Sequence, residues 1–423
     1  MNSDLQVPEG WRWFSLGEKF SIAIGGTPSR NIDQYWDYNK VTQNRWVSIK
    51  DLDSRYITDT KEYISDKGVS KSNVKLVPSG TVMMSFKLTV GRVAFAGANL
   101  YTNEAIAAFL PTNDNDVSVN FLYQGLQHWN LLEYSDQAVK GITLNKEKIY
   151  NIQGLFPPLP EQNKIATILT SVDDVIEKTE AQINKLQDLK KGMMTELLTK
   201  GIDHTEFKDS PVGRIPVEWD IVNLGMIIGS MVGGVSVNSD NRKKMSSEVG
   251  ILKTSSVSNG YFYPIEHKVI LPNEIQRVKI NPTKDHILFS RMNTPLLVGE
   301  SGYVEETHFD LFLPDRLWMI NVKNRKKTNV RWLSYVLASG ATRQKIADVA
   351  TGTSGSMKNI AKPNLLAIKI AIPSVNEQEK IAQTIRSLDV SLKSKQKKLS
   401  QTKSLKKALM NDLLTGKKRV NVN

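Results

Sequence analysis

The sequence predicts a mixed α/β (α+β) fold written twice in one chain. Two globular domains are each followed by a long helix, and the two helices pair as an antiparallel coiled coil, so that the chain imitates a two-fold dimer. Three observations carry this expectation. An ordered series of matches relates the two halves of the 423 residues at offsets of 205–216. Each half ends in an apolar row with alternating spacings of four and three residues, about five heptads long. The remainder of each half mixes short β-branched runs with turn residues such as Gly25-Gly26-Thr27-Pro28 and Val257-Ser258-Asn259-Gly260.

The matches run in order from end to end, which makes them a tandem duplication and not a set of coincidences. Val7-Pro8-Glu9-Gly10-Trp11, leading to Leu16-Gly17, reappears as Ile215-Pro216-Val217-Glu218-Trp219, leading to Leu224-Gly225. Trp46 to Leu52 falls on Ile251 to Val257, and Thr81 to Ser85 on His286 to Ser290. Gly91, Phe121-Leu122 and Gly141 then meet Gly302, Trp332-Leu333 and Gly352. Helices are expected near Val119 to Tyr134 and Asn329 to Ala347. The domain boundaries follow: residues 1–156, a helical segment 157–202, residues 203–372, and a helical segment 373–423.

The helical segments match without a gap, Pro157 to Thr199 on Pro373 to Thr415. The first row is Ile165, Leu169, Val172, Ile176, Thr179, Ile183, Leu186, Lys190, Met193 and Leu197. The second is Ile381, Ile385, Leu388, Leu392, Lys395, Leu399, Thr402, Lys406, Leu409 and Leu413. Asn376 with Glu379 is the expected cap and capping-box acid of the second helix, and Gly201 and Gly416 are the expected stops. The 38 residues from Glu161 to Leu198 span roughly 57 Å. Such a stripe can lie on its own globule or bury itself against its twin; the matching lengths and polar interruptions favour the pair.

Composition narrows the function. There is no cysteine, which removes disulfides, thiolate zinc sites and cysteine nucleophiles. The longest apolar stretches, such as Met226 to Val237, are short and broken by Gly and Ser, and the opening Met-Asn-Ser-Asp-Leu-Gln lacks the features of a signal peptide. A cytoplasmic protein without membrane contact is expected. The net charge of +13 is unevenly spread. The first domain is neutral, whereas residues 373–423 carry 12 basic and 4 acidic side chains. A basic chain favours polyanions such as nucleic acid. Catalytic signatures are missing: no G-x-x-x-x-G-K-[ST], no G-x-G-x-x-G after a strand, and no Asp or Asn before Pro-Pro-aromatic, where Phe156-Pro157-Pro158-Leu159 has the wrong neighbours. Glu206-x-Lys208 lies in a polar connector, and the five histidines show no pairing at metal-ligand spacing. The chain is expected to bind no metal or cofactor and to do no chemistry by itself.

The duplication, the helix openings P-L-P-E-Q and S-V-N-E-Q, and the connector Gly201 to Lys208 leading to Gly213-Arg214-Ile215-Pro216-Val217-Glu218-Trp219 resemble the specificity (S) subunit of type I restriction-modification enzymes. The resemblance covers essentially the whole chain. It implies two target-recognition domains, each reading one half of a bipartite double-stranded DNA site, with the helices setting the gap. It implies as partners two methyltransferase (M) subunits for adenine N6 methylation and two motor-nuclease (R) subunits. S-adenosylmethionine, ATP and Mg2+ would then serve the complex and not this chain. A bipartite repressor or architectural protein outside restriction would share the charge and the symmetry, and a purely structural coiled-coil adaptor is a third class.

DNA contact calls for cations in loops that the two copies share but fill differently. In the first domain these are Arg30, Lys50, Lys87, Arg92 and Lys140; in the second, Arg242, Lys243, Lys244, Lys253, Arg291, Arg316 and Lys358. Lys87 and Arg291 follow equivalent serines at equivalent strand ends, and Lys140 and Lys358 bracket equivalent Gly-rich turns. The last helix carries Lys393, Lys395, Lys397, Lys398, Lys403, Lys406 and Lys407. That face either follows DNA phosphates or packs beside a methyltransferase subunit; the second reading is preferred.

Overall fold

The computed structural model describes residues 7–138, 141–352 and 357–422. The chain divides into two compact units, one of residues 1–181 with 397–423 and one of residues 182–396. Each unit therefore contains a globule, the start of one long helix and the end of the other.

In the first unit a five-stranded sheet runs in the spatial order Phe20–Ile24, Ile106–Pro111, Val82–Ser85, Val93–Ala96, Tyr56–Ile57. The pairs are antiparallel except the last, which is parallel. The second unit repeats the order with Ile228–Gly233, Leu317–Val322, Ile287–Ser290, Ser301–Tyr303 and Gly260–Phe262, again with only that last pair parallel, and adds Val257–Ser258 at the edge. The central strands are covered on both faces, so they read as unbroken apolar runs. Period-two geometry then divides their side chains between two cores. Val82 and Met84 join Phe109 on one side, while Met83 joins Ala108 on the other. Ile287 and Phe289 part from Leu288 in the same way.

A smaller ribbon closes each globule: Arg12–Ser15 pairs with Gln153–Phe156, and Asp220–Asn223 with Lys369–Ile372, in the same register. Helix α1 (Val119–His128) packs into the larger core of the first unit, capped by Ser118, whose Oγ accepts from the Phe121 N–H at 3.4 Å. Helix α2 (Leu159–Thr199) follows. In the second unit α3 (Val330–Ala338) is capped by Asn329 Oδ1, 2.9 Å from the Trp332 N–H, and α4 (Val375–Leu413) follows. The single helix expected over Asn329 to Ala347 is two. Ser339 turns to an extended conformation after α3, and its Oγ caps a separate helix, Gly340–Asp348.

The two long helices are antiparallel. In the first unit Asp173 meets Lys406 and Glu180 meets Lys403; in the second Gln182 meets Lys395 and Lys190 meets Asp389. One number rises as the other falls. The apolar rows, however, do not serve only each other. Ile165 and Leu169 from α2, with Leu409 and Leu413 from α4, pack into the core of the first globule. Ile381 and Ile385 from α4, with Leu197 from α2, pack into the second. Between these ends Ile183 and Leu392 are buried, whereas Val172, Ile176, Leu186, Met193, Leu388 and Leu399 are half-buried. Both expectations for the stripe hold, each over part of its length.

Two of the three lysines in the rows, Lys190 and Lys406, are not interruptions but ion pairs, and the third, Lys395, donates to Gln182 Oε1 at 2.7 Å. Lys406 Nζ lies 2.7 Å from Asp173 Oδ1, and Lys190 Nζ lies 2.7 Å from Asp389 Oδ1. Each pair is tied to its globule: Gln124 Nε2 donates to Asp173 at 2.8 Å, and the hydroxyls of Tyr335 and Tyr261 donate to Asp389. Burial, and then the neighbouring Asp389 carboxylate, push both tyrosine pKa values far up, so they remain donors. Moving one helix seven residues along the other would set Asp173 against Leu399 or Leu413, and Asp389 against Ile183 or Leu197. Stranding a largely enclosed charge without its partner in this way is costly, so the pairs fix the register.

The Glu-Gln dipeptide that opens each helix has a matching explanation. Gln162 accepts from the Ser118 N–H at 2.9 Å and donates to the carbonyls of Asp116 and Pro157; Gln378 accepts from the Asn329 N–H at 2.9 Å and donates to Lys327 and Pro373. Glu161 accepts from Trp11 Nε1 at 3.1 Å and takes both arms of Arg419 at 2.7 Å. Glu377 accepts from Trp219 Nε1 at 3.0 Å, from the Ile202 N–H, and from His204 Nε2, which must carry the proton because a carboxylate only accepts. Thus the tryptophan at the start of each repeat and the segment beyond the other helix's end share one carboxylate. Gly201 and Gly416 do end the helices, both at φ +71°, and a Cβ there would strike Glu377 or Pro8. The expected cap at Asn376 is displaced: α4 starts at Val375, and Ser374 Oγ accepts from the Glu377 N–H at 3.3 Å.

Candidate nucleic-acid interface

The site is built where the central strand of each large sheet ends. In the first unit that end is Ser85, which is fully buried. Its carbonyl accepts from the Gly91 N–H at 2.9 Å, its Oγ from the Arg92 N–H at 3.1 Å, and its hydroxyl donates to the Thr89 carbonyl. These bonds close Phe86 to Gly91 into a tight hairpin. Gly91 stands at φ +87° and Leu88 at φ +64°, a conformation that leucine seldom adopts. Phe86 is buried and anchors the loop. Lys87, its Nζ 5.3 Å from the Phe86 ring, pairs by its backbone with Thr143, and Arg92 leaves from the other side. Arg92 Nη1 reaches the Ile49 carbonyl at 3.5 Å, beside the turn that carries Lys50. Lys87, Arg92 and Lys50 are thus assembled around one hairpin. Lys140 lies outside the described residues.

The second unit builds the same device from a longer loop. The Ser290 carbonyl accepts from the Gly299 N–H at 2.7 Å, and its Oγ accepts from Asn293 Nδ2 at 3.3 Å. Gly299, at φ +79°, is therefore the counterpart of Gly91. The expected counterpart, Gly302, lies three residues off, because part of the insertion in the second repeat falls after the hairpin, not within it. The Arg291 N–H donates to the Arg316 carbonyl at 3.0 Å, and Asn293 pairs with Lys358, so Arg291, Arg316 and Lys358 converge. Arg343 holds the loop from behind, donating to the carbonyls of Val298 at 2.7 Å and Leu296 at 3.4 Å and pairing with Glu300 at 3.2 Å.

The other candidate cations are arranged differently. Arg30 is forked onto Glu62 and stacked 3.8 Å over Trp36. Arg242 is forked onto Glu248, whose carboxyl it holds down to about 2. Lys244 pairs with Asp310 at 2.6 Å, and Lys253 lies 3.9 Å from Glu266. Among the described residues Lys50, Lys243 and Arg316 have no side-chain partner and are exposed. Sequence reasoning missed Arg343, whose role depends on the fold, and the tip leucines Leu88 and Leu296, which are 64% and 87% exposed. The signal for the leucines was present: Leu-x-Val-Gly occurs at 88–91 and at 296–299.

Comparison with known proteins bears on this arrangement. The family model described as "Type I restriction modification DNA specificity domain" matches twice, over residues 8–188 and 216–403. The putative type I restriction enzyme MjaX specificity subunit of Methanocaldococcus jannaschii is 31% identical over 432 residues, covering 98% of this chain and 95% of that protein. The MjaVIII specificity subunit of the same organism is 27% identical over 427 residues, with the same coverages. Among solved structures, the type I restriction-modification system S subunit from M. genitalium superimposes with a TM-score of 0.63 at 13% identity, covering 98% of this chain and 97% of that one, which shows a shared fold. Among the described residues no helix is long and apolar enough to cross a membrane. With both repeats matched and nearly the whole chain aligned to named relatives, the chain belongs to the family of type I restriction-modification specificity subunits.

Proposed function

We propose that this chain is the DNA-recognition subunit of a cytoplasmic type I restriction-modification complex, with each repeat reading one half of a bipartite site. The observation that supports it is the cation-bearing hairpin at the same sheet end in both repeats, built on different residues. Shared scaffolding gives both repeats the same approach to a duplex, and divergent side chains give each its own bases. The antiparallel helices act as the spacer between half-sites. Methyl transfer from S-adenosylmethionine and ATP- and Mg2+-dependent cleavage would belong to two methyltransferase and two motor-nuclease subunits. The repressor and adaptor readings lose ground to family membership.

Exchange of residues 1–155 for those of another family member tests the reading. The donor must retain partners for Glu161, Gln162 and Asp173, since these fasten the globule to its helices. One half of the N6-methyladenine motif should change while the other persists. A change in both halves would contradict the two-reader arrangement.

A further inference from the structure

We propose that Leu88 and Leu296 are wedges that enter the base stack of duplex DNA, one in each half-site. This rests on the reading of the two repeats as DNA readers and assigns these hairpins a role distinct from base recognition. The two leucines occupy the same place: each stands three residues before the positive-φ glycine whose N–H closes its hairpin onto the buried serine. The loops otherwise differ in length and composition, Phe86 to Gly91 against Arg291 to Gly299. Base-reading side chains are expected to diverge between repeats that read different half-sites. An apolar tip kept in both copies fits a task that both half-sites share, independent of sequence.

The geometry fits insertion. Both leucines are exposed, at 64% and 87%, and Val90 and Val298 of the same loops turn inward. Neither tip is free to fold back: the first is closed by three bonds to Ser85, and the second is held by Arg343 through the carbonyls of Leu296 and Val298. Leu88 keeps its left-handed backbone although leucine disfavours it, and such strain marks positions fixed by their surroundings. The flanking charge selects the partner. Lys87 and Arg92 lie on the two sides of the first hairpin. At the second the backbone pairs Arg291 with Arg316 and Asn293 with Lys358, so that exposed Arg316 and half-buried Lys358 and Arg291 lie beside the loop. Apolar side chains framed by cations are the means by which proteins part a base step while gripping the phosphates beside it. An apolar protein partner would leave those cations without a purpose.

The test uses the full chain with its methyltransferase partner and duplexes carrying its methylated motif. 2-Aminopurine is placed singly at each step of each half-site other than the methylated adenine. Binding of the unaltered complex should raise fluorescence several-fold at one step in each half-site. Leu88→Ala should abolish the rise in the half-site read by the first repeat alone, and Leu296→Ala in the other alone. Leu88→Asn, which suits the left-handed backbone, should act like alanine, and Leu88→Met should restore the signal. Specific affinity should fall about tenfold for each alanine. Unchanged fluorescence in the alanine variants overturns the wedge, as does loss of methyltransferase association with unstacking intact. If the unaltered complex shows no preference for its motif, the reading of the repeats as DNA readers fails instead.

Discussion

Removing one heptad from each long helix tests the spacer directly. The deletions are Ile176 to Gln182 from α2 and Leu392 to Lys398 from α4. Both lie between the two largely enclosed ion pairs, since Asp173 and Lys190 bracket one stretch and Asp389 and Lys406 the other. Each stretch spans 17 residues, or about 26 Å of helix. After deletion both pairs can still form, and the apolar rows keep their phase. The losses include the exposed contacts of Lys395 with Gln182 and of Lys403 with Glu180, which are worth less than about 1 kcal/mol each. The pair of Arg55 with Glu177 is lost as well, while Arg55 keeps Asp174 and Leu399 moves into the place of the buried Leu392. The rod shortens by about 10 Å, or roughly three base pairs at ~3.4 Å per step. It also turns one half-site about 100° around the duplex relative to the other, at about 10.5 base pairs per turn. The original site should be lost, and a site with the same half-sites and a gap about three base pairs shorter should replace it wherever the partner subunits still dock. Deleting four residues instead breaks the phase and should mainly destabilise the pair. Methylome sequencing of cells carrying the seven-residue deletion reads the outcome. An active variant that still modifies the original site at its original gap would refute the helices as the ruler.

Other expectations follow from particular interactions. Truncation before Lys397 should unfold the first globule and leave the second protected in limited proteolysis, because Met410, Leu413 and Leu414 sit in the first core; Leu413→Ala alone should cost about 2–5 kcal/mol in denaturant unfolding. Lys87→Gln with Arg92→Gln should weaken binding to all sequences and lower the slope of log K against log salt by about 1 for each phosphate no longer neutralised. Burial lowers the His128 pKa, so its contribution to stability is full above the unfolded value of about 6.5 and fades as pH falls toward the folded value. The unfolding slope between pH 7.5 and 5.5 should therefore flatten in His128→Phe. Glu248 is held down to about 2 by Arg242; the stability it adds is present above about pH 4.3 and is lost as pH falls toward 2, a loss that Arg242→Gln should remove from acid-unfolding curves.

Much of this was legible in the sequence because the chain is its own comparison. The duplication, the paired long helices, the Glu-Gln openings and the helix-ending glycines all followed from matching one half to the other, whereas the ribbon register and the sheet order are visible only in the fold. Long-range pairing was not legible. Arg30, Arg242 and Lys244 look like free loop cations until the fold brings Glu62, Glu248 and Asp310 to them. Lys190 and Lys406 look like blemishes in an apolar row, and only the antiparallel pairing supplies their aspartates. Ser374 takes the cap expected at Asn376, its Oγ accepting from the Glu377 N–H three residues on. Offsets drift wherever loops differ in length, which is why the sequence pairs Gly91 with Gly302 when the hydrogen bonds pair it with Gly299.

The central claim is that this one chain specifies a divided DNA site through two separate readers. Genome-wide mapping of N6-methyladenine in the host, with the chain present and with it deleted, tests that most directly. Two separate readers predict a single motif made of two different half-sites around an unread gap, wholly lost on deletion. A continuous motif, or a divided one that persists without the chain, would contradict them.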